Sequence, residues 1–113
     1  MLTTFCLFVL LADTSPMQVL PLEQITYPGG RAYINVEVPT LPRGRVSTVI
    51  LGPDCQQVER HRMVRALSSL GHRVVPIAMP EMTGDYVIMV TAEEARGEQA
   101  YGIPVVVHVE PLP

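Results

Sequence analysis

The sequence predicts an α/β fold: a single small domain with a mixed sheet, parallel in its second half, an N-terminal hairpin and one main helix. Three observations carry that expectation. Short apolar runs recur along 113 residues, separated by most of the eleven prolines and eight glycines. One stretch, Asp54 to Leu70, carries helix start and stop signals. After residue 46 the runs read strand, helix, strand, strand, short helix, strand, an order that implies parallel pairing through crossovers. One domain is expected over residues 1–113, with strands and a hairpin in 1–45 and a Rossmann-like part in 46–110.

Taking the elements in order, Thr3 to Leu11 is apolar at both alternating positions, as in a strand buried on both faces. The run Leu2 to Ala12 has no positive leader and is followed at once by Asp13-Thr14-Ser15-Pro16, so it reads as a strand rather than a signal peptide. It is also too short to span a bilayer. Val19 to Tyr27 is extended and broken near Pro21. After the Pro28-Gly29-Gly30 turn, Ile34, Val36 and Val38 alternate with Asn35 and Glu37, as in a half-exposed strand. The two stretches are expected to pair as a hairpin, with Ile34 and Val36 available at an interface between copies. Pro39 to Arg45 is a loop, and Val46 to Leu51 is a β-branched interior strand.

The helix expectation rests on Asp54 as N-cap, Gln57 in capping-box spacing and Gly71 as the terminating glycine. Met63, Val64, Leu67 and Leu70 would form its buried face, opposite Glu59, Arg60, Arg62 and Ser69. Arg73 to Met79, Asp85 to Thr91 and Ile103 to Val107 are further strands. Ala92 to Ala100 is polar enough for a short exposed helix.

Composition excludes several functions. Net charge is −3 and mean hydropathy +0.27, so the basic footprint of a nucleic-acid binder is lacking and so is the profile of a disordered chain. All eight cations are arginine, which rules out a P-loop lysine and a Schiff-base lysine. Cys6 and Cys55 read as small buried hydrophobes in a reducing, cytoplasmic setting. His61, His72 and His108 have no metal-ligand spacing with one another or with the cysteines, so no metal and no cofactor is expected.

Ile25-Thr26-Tyr27-Pro28-Gly29-Gly30-Arg31, then Val46–Leu51, Asp54–Leu70 and Val74–Pro80, then Gly84–Val90 and Ile103-Pro104-Val105, resemble in series the N-terminal domain of ribose-phosphate pyrophosphokinase (phosphoribosyl pyrophosphate synthetase). The likeness covers about two thirds of the chain. It implies an α/β domain that associates with copies of itself. The family's glutamate after the glycine pair is Arg31 here, its Arg-Gln-Asp-Arg loop is missing after Pro80, and its Asp-Leu-His strand reads Thr91-Ala92-Glu93. Pyrophosphoryl transfer needs Mg²⁺ and cationic clamps around a positioned ribose, and nothing here supplies them. The resemblance therefore implies a shortened, non-catalytic interaction or regulatory module acting by self-association or by binding a protein partner.

A second resemblance competes with it. Ile50-Leu51-Gly52-Pro53 followed by a helix, and a strand ending at Pro80-Glu81, is similar to nucleoside 2-deoxyribosyltransferases, which implies Glu98 as nucleophile. Either way Gly52, Pro53 and Asp54, with Arg43 and Arg45, are the candidate contacts for a nucleotide or sugar phosphate, because a helix start and loop arginines favour anions. Asp54 doubles as a plain cap, Arg43 and Arg45 as exposed loop cations, and Glu93, Glu94, Arg96 and Glu98 as a solvated charge cluster. A structural protein of an assembly is the third alternative.

Overall fold

The computed structural model describes residues 17–54, 56–58, 63–94 and 100–113. Among them there is no helix. The elements are β1 (Gln18–Leu20), β2 (Glu23–Thr26), β3 (Arg31–Glu37), β4 (Arg45–Leu51), β5 (Met63–Ala66), β6 (His72–Ala78), β7 (Gly84–Glu93) and β8 (Ala100–Val109). They form a three-stranded sheet in the order β1-β3-β6 and a five-stranded sheet in the order β2-β8-β7-β4-β5.

Alternation explains how the two sheets share one core. Ala32, Ile34 and Val36 of β3 are buried together with Val46 and Ile50 of β4, Ile88 and Val90 of β7, and Val105 and Val107 of β8. In β3 the residues between them, Arg31, Tyr33, Asn35 and Glu37, are exposed. Period-two patterning thus sends one face of each sheet inward. Ile34 and Val36 have no exposed surface, so they are core residues and do not form the interface expected of them.

The extended stretch before the Pro28-Gly29-Gly30 turn divides at Pro21. β1 pairs antiparallel with β3, whereas β2 crosses to the other sheet and runs parallel to β8. The expected hairpin is therefore replaced by a strand that changes sheets. The Gln24 side chain ties the two together: its Nε2 donates to the Tyr33 carbonyl and its Oε1 accepts from the Tyr33 N–H, both at 3.0 Å.

The main helix over Asp54–Leu70 is corrected to a loop, an edge strand and a turn. Gly52 N–H donates to the Gln56 carbonyl and Val58 N–H to the Ile50 carbonyl, each at 2.7 Å. These bonds fold the chain back beside β4, and β5 then pairs antiparallel with it. The capping signal at Asp54 belongs to a turn, which favours the same residue types. The glycine signal is similarly ambiguous. Gly71 has φ 73°, but it closes a turn in which its N–H donates to the Ser68 carbonyl at 2.9 Å. Of the expected helical face, Leu67 is 3% exposed and Leu70 81% exposed.

The second half is not parallel. β4 pairs antiparallel with β7, and β7 antiparallel with β8. Ala92 and Glu93 extend β7 and Ala100 opens β8, so the ends of the expected short helix are strand. The α/β, Rossmann-like and synthetase-like expectations are accordingly replaced by an all-β architecture. Thr3–Leu11, Cys6, Cys55, His61 and Glu98 lie outside the described residues. Among those described, no helix is long and apolar enough to cross a membrane.

Candidate functional site

Antiparallel sheets usually keep one face on the core and one polar face in water. The outer face of the five-stranded sheet departs from that pattern. The residues alternating with the buried positions of β4, β7 and β8 are half-buried and mostly apolar. Register sets them in rows: Leu51, Val87 and Val106 in one, Val49, Met89 and Pro104 in the next, Ser47, Thr91 and Gly102 in a third. Val64, 50% exposed, extends the third row onto β5, and Ile25, 62% exposed, flanks the sheet on β2.

Local chemistry shapes this face. A Cβ on Gly102 would stand 2.8 Å from Met89 Cε, so the glycine makes room for the methionine to lie across β8. Pro104 removes a ladder donor, which a paired central position would not tolerate. Val106 N–H donates to the Leu22 carbonyl at 2.9 Å, which fixes the side of β8 that faces β2. The nitrogen of Pro104, two residues earlier, points to that same side, ahead of the start of β2 at Glu23.

Charged residues close both ends of the apolar rows. At one end His108 Nδ1 lies 2.7 Å from Asp85 Oδ1 and its Nε2 2.5 Å from Glu23 Oε2. The hydrogen bond to Asp85, then that to Glu23, raises the His108 pKa above its ordinary value, against a smaller opposing effect of burial. With a carboxylate at each nitrogen, the imidazolium donates twice and neither nitrogen is left to act as a base. The cluster clasps β2, β8 and β7 together. At the other end Arg45 and Glu93 approach to 3.7 Å.

The anion-site candidates do not converge. Gly52, Pro53 and Asp54 follow the C-terminal end of β4, while Arg43 and Arg45 sit at its N-terminal end. Seven extended residues separate the groups by roughly 20 Å. Arg43 adopts φ 62° in the turn before β4, and its N–H donates to the Ser68 carbonyl at 3.0 Å. The β7–β8 connection that contains Glu98 leaves and re-enters the sheet at Glu93 and Ala100, beside Arg45. Gly52–Asp54 thus stands at the opposite end of the sheet from that connection's two anchor points.

Sequence reasoning missed both the outer face and the clasp. The face had a signal: Tyr86–Val90 and Ile103–Val107 are apolar at both parities. The clasp had none, because its residues are 23 and 85 positions apart.

No protein-family model matches the chain, and no curated protein matches it significantly in sequence. Among solved structures it is similar to WR4, a C. elegans MSP family member, with a TM-score of 0.53 and 15% identity over 85% of this chain and 99% of that one. That likeness concerns the fold, and it agrees with the all-β architecture. Part of a family 123 glycoside hydrolase from Clostridium perfringens also aligns, with a TM-score of 0.46 and 10% identity over 80% of this chain and 22% of that one.

Proposed function

We propose that the chain is a non-catalytic interaction module that associates through the outer face of β4, β7 and β8. The observation that carries this reading is the apolar composition of a face that an antiparallel sheet would otherwise present as polar. Contiguous exposed apolar surface on a folded domain marks association sites, and its flanking charges resemble the polar rim of an interface. A cytoplasmic setting is part of the proposal and rests on the sequence, which offers two cysteines and no disulfide framework.

The test is substitution on the face. Met89→Arg and Val106→Arg should leave the melting temperature nearly unchanged, because neither side chain belongs to the core. Both should sharply reduce native-state binding of an apolar-surface dye at concentrations low enough to keep the chain monomeric. A wild-type protein that binds no dye at concentrations where it is monomeric, or variants that bind it as well as wild type there, would overturn the reading.

A further inference from the structure

We infer that the occupant of this face is a second copy of the same chain, packed about a two-fold axis that crosses the strands near Met89. The inference rests on the association reading and adds the partner's identity. Area is the first argument. Five strands about 4.8 Å apart, of four to ten residues at about 3.3 Å each, give a face of roughly 500 Å². Two such faces together reach about 1,000 Å², the lower bound for a specific interface. One extended segment covers about one strand's width, so a single bound peptide leaves most of the rows uncovered.

Charge sets the orientation. The Glu23–Asp85–His108 end carries two carboxylates against one imidazolium, whereas Arg45 and Glu93 balance at the other end. Superposing like ends would bring four carboxylates together, and such juxtaposition is costly. An axis perpendicular to the strands instead sets each acidic end over the partner's Arg45 end. It leaves the Val49–Met89–Pro104 row in contact with its own copy, the self-complementary arrangement of a two-fold dimer.

Light scattering on the full chain across a concentration series tests this. The expected mass is that of a dimer, falling to half in Met89→Arg, whose melting curve shows it still folded. Arg45→Glu should shift the monomer–dimer midpoint to higher concentration. A wild-type monomer at hundreds of micromolar that still binds the apolar dye would overturn the second copy while leaving the association reading intact. Loss of dye binding as well would remove both. A mass that keeps climbing past the dimer, or dissociation by Leu7→Asp but not by Met89→Arg, would also overturn the two-fold arrangement.

Discussion

His108 joins three strands through two carboxylates, and the consequence is a dependence of stability on pH. Its folded-state pKa is raised, so the proton is held more tightly in the folded chain than in the unfolded one. The stabilisation is complete below the unfolded value of about 6.5 and is lost as pH rises through the folded value. Urea melts should therefore show lower stability at pH 8.5 than at pH 6, and His108→Gln should reduce that difference. An unchanged difference would assign the pH dependence to other groups. Thr48 offers a separate residue-scale test. It is 1% exposed, and its Oγ1 has no hydrogen-bond partner among the described residues. Replacing an unsatisfied buried hydroxyl by a methyl removes a desolvation penalty, so Thr48→Val should stabilise by about 1 kcal/mol in the same melts.

At the scale of elements, most strands were legible, but β5 was not, because it lies inside the segment expected to be a helix. Period-two alternation located β3, and β-branched or continuous apolar runs located β4, β7 and β8, because each buries one face in the core. The segment from Asp54 to Gly71 misled because turns and helix ends draw on the same residues: aspartate satisfies backbone groups in both, and a positive-φ glycine ends both. Local sequence could not separate them, since the deciding contacts come from Arg45–Thr48. The candidate site was less legible still, because an apolar outer face has the same sequence pattern as a strand buried on both sides. The two readings of Asp54–Leu70 differ measurably. A helix would bury both Leu67 and Leu70, whereas the turn buries Leu67 alone. Leu67→Ala should cost roughly 2–5 kcal/mol and Leu70→Ala no more than about 0.5 kcal/mol in urea melts. Gly71→Ala should be costly too, by about 1–3 kcal/mol, because its Cβ would meet the Val38 carbonyl oxygen.

For the whole molecule, the order of strands in space decides how the chain unfolds. The boundary drawn at residue 45 from sequence does not coincide with a boundary between sheets. β2 precedes it and pairs with β8, while β3 precedes it and pairs with β6. Each sheet therefore contains strands from both parts of the sequence, and the core draws on both sheets. Neither part retains a complete sheet without the other, so loss of packing in one sheet removes the apolar cover of the other. Such interdependence produces a single cooperative transition. Ile34→Ala in the three-stranded sheet and Ile88→Ala in the five-stranded sheet should each cost about 2–5 kcal/mol, and each should move the entire transition. Far-UV circular dichroism and tyrosine fluorescence, the latter reporting on buried Tyr86 of β7, should trace coincident curves in both variants. Two separated transitions, with Ile34→Ala shifting only one, would show that the sheets fold independently.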